Sequence, residues 1–130
     1  METINLCKKD LSHPLFENIL FFMYAEVGAM GERGAVQFVK TDGRLYRFNY
    51  LFDDIRERDL VSYFPMPGFL SRGRTGWQYV SLGCGNHLLV RDAVYPQFHQ
   101  LIKDYTRKGE IYRDWISHAE TVVKGVVTNG

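Results

Sequence analysis

Cysteine is scarce in this sequence: Cys7 and Cys84 are the only two in 130 residues. Two thiols, one of them near a terminus, do not make a disulfide scaffold, so a reducing, cytoplasmic setting is the simpler reading. An excess of one charge is missing too. Sixteen Lys and Arg against fifteen Asp and Glu create no global field toward nucleic acid or an anionic membrane surface, so any such binding must be local. Divided after Phe64, the chain carries 8 basic and 10 acidic residues (−2), then 8 and 5 (+3), leaving the second part mildly basic.

Long hydrophobic runs are absent as well. The longest, ILFFMYA at 19–25, is far shorter than a bilayer span, and the opening METINLCKKD has no apolar segment of the export type. No membrane association is expected. There is no CxxC, no HExxH and no tight histidine cluster; His13, His87, His99 and His118 are scattered, so neither a metal nor another cofactor is expected. Repeats, low-complexity tracts and interdomain linkers are also missing. The length suits one domain over 1–130, with 1–11 and 125–130 expected to fray.

What the chain has in quantity is aromatic rings, with 8 Tyr, 9 Phe and 2 Trp. Helical spacing of Leu15, Ile19, Phe22, Met23 and Val27, with Ser12 as cap and Pro14 in the first turn, predicts a first helix. Its other face carries Phe16, Leu20 and Phe21, so the helix must lie centrally or be covered by a second subunit. A homodimer is the expected partner arrangement. Gly28, Gly31 and Gly34 follow at intervals of three. A phosphate cradle runs from a strand into a helix, whereas the expected order here is the reverse, and a structural loop is the better reading.

AVQFVKTDGRLYRFNY, 35–50, reads as a hairpin. A two-residue turn would oppose Phe38 to Arg47. A three-residue Thr41-Asp42-Gly43 loop, with Gly43 left-handed, opposes Phe38 to Tyr46 and Val36 to Phe48 and gathers the apolar residues on one face. The second register is adopted. A short helix is predicted over DDIRERDLVSYF, 53–64, with Asp54 and Glu57 as a capping pair and Pro65 as its stop.

WQYVSLG and NHLLVR form a second hairpin around GCGN. A Gly85-Asn86 turn would set Cys84 directly opposite His87; a Cys84-Gly85 turn would set His87 opposite Leu82. Both alternatives stay open. In either, His87 shares a face with Val80, Leu82 and Leu89, while Trp77, Tyr79, Leu88 and Val90 take the other. Two helices close the chain. The first is capped by Asp92 and carries Val94, Phe98, Leu101, Ile102 and Tyr105; the second carries Ile111, Tyr112, Trp115, Ile116, Ala119, Val122 and Val123. The expected fold class is therefore α+β, with two antiparallel β-hairpins forming one sheet and about four helices packed on it.

Two functional readings compete. The segment 65–77 has no periodicity, contains glycines, and places Arg72 and Arg74 between Phe69 and Trp77. Guanidinium forks beside aromatic faces suit an acidic protein patch or a small anion. The plain alternative is a solvated connector. Because no constellation of acid, base and nucleophile emerges while aromatics are abundant, the leading reading is a small non-catalytic binding or accessory protein acting through this segment and an aromatic surface. The rival is a cysteine-dependent hydrolase or transferase using Cys84 and His87. A thiol nucleophile also needs a lowered pKa, an oxyanion site and a group that orients its base; Asn86 would point to the opposite side of a regular strand, and the glycines that could expose N–H groups are explained by the turn itself.

Overall fold

A strand whose residues are all buried must be covered on both faces, and Ile19–Ala25 is such a strand. In the computed structural model the chain forms a six-stranded mixed sheet. The structure describes residues 1–25, 35–49, 59, 62–63, 76–83, 85–99, 120 and 123–125. Its strands are β1 (Thr3–Asn5), β2 (Ile19–Ala25), β3 (Ala35–Lys40), β4 (Leu45–Asn49), β5 (Trp77–Gly83) and β6 (Asn86–Arg91). Their spatial order is β1-β4-β3-β2-β6-β5. β1 runs parallel to β4, and every other pair is antiparallel.

This arrangement overturns the expected first helix and, with it, the fold of about four helices on two hairpins. Lys8–Asp10 and His13–Phe16 are short 3-10 turns. Ser12 makes no side-chain cap at the second, and Asn18 at φ 61° turns the backbone out of the helical path. The run ILFFMYA does match a helical period. Its rings and its apolar residues on every side suit the centre of a sheet better. The greasy second face that suggested a dimer is thus covered within the chain itself.

Two clusters form the core, one on each face of the sheet. Phe21, Met23, Val39, Leu45, Leu88 and Val90 pack with Val94, Phe98 and Val123 from the C-terminal part of the chain. Phe21 meets Phe98 edge-on, with ring centroids 4.7 Å apart. On the opposite face Phe22, Tyr24, Val36, Phe38, Phe48, Trp77 and Leu89 are covered by Phe16, with Leu6, Leu11, Leu15 and Tyr63 against its margin. A bulge in β2 separates the pairs Ile19↔Lys40 and Phe21↔Val39. It places both Leu20 and Phe21 in the first cluster while Ile19 and Phe22 belong to the second.

The first hairpin has the register derived from its side-chain pattern. Phe38 pairs with Tyr46 and Val36 with Phe48, and Gly43 sits at φ +78°, a conformation glycine adopts without Cβ strain. The Gly43 N–H bonds the Lys40 carbonyl, and the Asp42 carboxylate accepts from the Arg44 N–H and the Tyr46 hydroxyl. The N-terminal residues expected to fray include β1, whose residues 3–5 pair with 45–47.

Residues 95–99 are helical, as are 123–125, and Val94, Phe98 and Val123 are buried as their spacing implies. Asp92 takes another role from the expected cap, accepting a hydrogen bond from the Gln78 amide at 2.8 Å. Outside the described residues lie Gly28, Gly31 and Gly34, the predicted helix over 53–64 apart from Asp59, Ser62 and Tyr63, and the stripe from Leu101 to Val122. No described helix is long and apolar enough to cross a membrane.

Gln37 is buried, 1% exposed, and pairs across the ladder with Met23 and Arg47. Its Oε1 is buried with no hydrogen-bond partner among the described residues. Replacing a buried, unsatisfied amide by an apolar side chain of similar shape removes a desolvation cost without breaking a bond. Gln37→Met is expected to be neutral or to stabilise the protein by about 1 kcal/mol in urea unfolding. A loss of more than about 1 kcal/mol would show that the amide contributes to the fold.

Candidate functional site

The second hairpin differs from both sequence-derived registers. Gly83 pairs with Asn86, which leaves Cys84 and Gly85 between them, as in one of the two alternatives. The next pair is Ser81↔His87, because a bulge falls between Ser81 and Gly83. His87 therefore faces neither Cys84 nor Leu82. One extra residue moves the rest of a strand to the other face of the sheet. Trp77 and Tyr79 consequently share a face with His87 and Leu89, while Val80 joins Leu88 and Val90. This corrects the face assignment made for β5.

The displaced register assembles a polar group on an otherwise apolar face. The Tyr79 hydroxyl and His87 Nδ1 share a hydrogen bond of 2.6 Å. Tyr24, the partner of His87 across β2 and β6, stacks on the imidazole with centroids 5.8 Å apart and an interplanar angle of 19°. His87 is 9% exposed and Tyr24 fully buried. One ring nitrogen is committed to a phenol, the other is buried, and a flat aromatic surface covers the ring. Such a histidine is held in position by its neighbours rather than presented to a substrate.

Trp77 was a candidate binding residue. Its side chain is 8% exposed and belongs to the core. Arg91, its partner on β6, sits over the indole with Cζ 4.5 Å from the ring centroid. The Arg91 Nε–H donates to the Ile19 carbonyl at 2.7 Å. Trp77 is thus a support for Arg91, not an open stacking platform. No sequence motif singles out Arg91. Its one signal was position, since the bulged register is what sets it opposite Trp77.

Arg91 is exposed, and its terminal guanidinium nitrogens have no hydrogen-bond or ion-pair partner among the described residues. Beside it, Gln78 and Asp92 join the start of β5 to the end of β6, and the Asp92 N–H bonds the Gly76 carbonyl. Gly76 has φ +87° and open space where a Cβ would be. The segment carrying Phe69, Arg72 and Arg74 enters the sheet at this residue. Those three side chains, and Cys84, lie outside the described residues.

The remaining candidates are dispersed. His13 lies against the Tyr63 ring and His99 beside the Tyr95 hydroxyl; His118 is outside the described residues. Among the described residues no group of three or more His, Cys, Asp or Glu is placed to hold a metal. The Cys7 backbone N–H and thiol both donate to the Asp10 carboxylate, at 2.8 and 3.3 Å. These bonds, the backbone one first, hold the Asp10 carboxyl below its ordinary range. No protein-family model matches the chain, and comparisons with curated proteins and with solved structures found no match.

Two predictions follow from these contacts. Tyr79→Phe removes the phenol from a buried imidazole nitrogen and is expected to cost about 1–3 kcal/mol in urea unfolding; an unchanged midpoint would show that the bond contributes nothing. Asp10 has a depressed pKa in the folded state, so its charge-dependent stabilisation exists above the unfolded carboxyl value and disappears as pH falls through the folded one. The stability difference between the protein and Asp10→Asn is expected to be largest at neutral pH and to close in acid. A difference that stays constant down to about pH 2 would contradict the assignment.

Proposed function

We propose that the chain is a small non-catalytic binding or accessory protein. Its anion-binding surface is the arginine-bearing segment 65–76 together with Arg91, at the point where that segment enters β5. The observation that carries this reading is the state of Arg91. Its guanidinium is exposed, fixed by the bond to Ile19 and by the Trp77 ring, and otherwise unpaired among the described residues. A cation held in place before the ligand arrives loses little side-chain entropy on binding and offers charge-assisted donors in a fork suited to carboxylate or phosphate. Arg72 and Arg74 precede Gly76 by four and two residues in the sequence.

The balanced charge of the whole chain favours a local acidic patch on a protein, or a small anion, over extended nucleic acid. The free thiol of Cys7 accords with a reducing, cytoplasmic setting. The cysteine-enzyme alternative required an imidazole beside Cys84, and the pairing of His87 with Ser81 and Tyr79 gives it no support. Of the two grounds for a homodimer, the greasy face of the expected first helix and the abundance of aromatics, the first falls away because β2 is covered on both faces within one chain, and the second stands.

Trp77 is itself the reporter, since an anion on Arg91 alters the field over the indole. In a Trp115→Phe background, titration with a tetraglutamate peptide and with inorganic phosphate is expected to shift Trp77 emission saturably. The double change Arg72→Ala and Arg74→Ala should weaken the response by about tenfold while leaving the melting temperature nearly unaltered. No saturable response to either probe, or an identical response in the double variant, would overturn the reading.

A further inference from the structure

Among the described residues Asn18 alone of the non-glycines has a positive φ, 61°. In that region Cβ crowds the following carbonyl, a cost that Asn and Asp bear more readily than other residues with a side chain. The Asn18 side chain is exposed and makes no hydrogen bond among the described residues. What the position requires is therefore the backbone conformation, not the amide.

That conformation acts on both sides of β2. Asn18 is the corner between the turn His13–Phe16 and the strand, and its carbonyl accepts from the Thr41 N–H at 2.9 Å, on the β3 side. The next carbonyl, that of Ile19, accepts from the Arg91 Nε–H at 2.7 Å, on the β6 side. Pairing of β2 with β6 starts at Phe21↔Val90, so Ile19 lies past the end of the ladder. A regular continuation would set Asp92 opposite Ile19, but the Asp92 N–H bonds the Gly76 carbonyl. The Arg91 side chain takes the place of the missing ladder donor.

The direction of the Ile19 carbonyl thus sets the direction of the guanidinium. The Trp77 ring, 4.5 Å from Cζ, attracts the cation across a broad face and leaves its rotation open, whereas a hydrogen bond has a preferred line. We propose that Asn18 is the positioning residue of Arg91: its left-handed backbone aims the Ile19 carbonyl at Nε, and the terminal nitrogens are thereby held in one orientation for an anion. This assignment rests on the reading of Arg91 as an anion donor, and its test separates the two.

The first measurement needs neither anion nor variant. In the full chain the Arg91 Nε–H is expected to exchange with water about tenfold more slowly than that of Arg47, which is exposed. Asn18→Ala, which opposes the positive φ, should bring the two rates to within about twofold of each other. In the Trp115→Phe background, and well below the melting temperature, it should also weaken the Trp77 response to inorganic phosphate and tetraglutamate by about fivefold. Asn18→Gly, which takes the same φ without a Cβ, should restore both properties to within about twofold of the unaltered protein. A purely structural role would lower the melting temperature of Asn18→Ala and leave the affinity of the folded protein unchanged. That result, an Arg91 Nε–H exchanging as fast as that of Arg47 in the unaltered protein, or an equal loss of affinity in the alanine and glycine variants would each overturn the proposal. If the unaltered protein binds neither anion, the anion reading falls and the exchange rates alone decide whether Asn18 places Arg91. The rate in the unaltered protein keeps the proposal open to refutation even if Asn18→Ala does not fold.

Discussion

Burial of β2 on both faces is the constraint from which the rest of the architecture follows. Seven consecutive apolar residues, none more than 8% exposed, need hydrogen-bonded neighbours on both edges and side chains above and below. β3 and β6 satisfy the edges. The two faces are satisfied by opposite ends of the chain: Val94, Phe98 and Val123 on one, and the N-terminal 3-10 turns with Tyr63 on the other. Fully burying a single Phe, Leu or Ile contributes about 1.5–3 kcal/mol, so a strand of this composition outweighs the helical propensity of any one of its residues.

The same logic explains why a bulge matters in β5. Between Ser81 and Gly83 the ladder slips by one residue, and everything before the slip changes face. Without it Tyr79 would stand with Leu88 and Val90, and His87 would present its imidazole to an apolar surface with no hydroxyl in reach. With it, Tyr79 bonds His87 at 2.6 Å and Arg91 lies over Trp77. A single irregularity in the backbone thus gives the Nδ1 of a buried histidine a partner and sets the cation at the rim. That is the usual service of bulges, which re-aim side chains at a cost confined to one unpaired residue.

Legibility in the sequence tracked how local the deciding interactions are. The first hairpin could be read in full because Val36, Phe38, Tyr46 and Phe48 alternate with polar residues and Gly43 marks a left-handed turn; both signals lie within sixteen residues of chain. The face assignment of the second hairpin failed on the bulge at residue 82, which no residue type announces, although one of its two alternative turns is the observed one. β2 failed for a different reason. Its spacing fits a helix and a strand alike, and only partners at 35–40 and 86–91 break the tie. Of the candidate site, Trp77 was legible as an aromatic beside arginines, but its burial under Arg91 depends on the same unseen slip.

A sheet sealed on both faces leaves function to its rim and to the turns that cover it. Along the strands several polar groups are engaged, the His87 imidazole by Tyr79 and Tyr24, the Arg91 Nε–H by the Ile19 carbonyl and the Gln78 amide by Asp92, with the buried Gln37 Oε1 as the exception. Such engagement holds these side chains rigidly in place. Arg91 illustrates the point at atomic scale. The nitrogen that points along the sheet is spent on holding the side chain still, and the terminal nitrogens of the same guanidinium remain as donors of defined position. On the proposed anion-binding reading, the rim is where a ligand would gain most from a geometry already fixed in the unbound protein, and the depth of the β2 core is what keeps that geometry from relaxing.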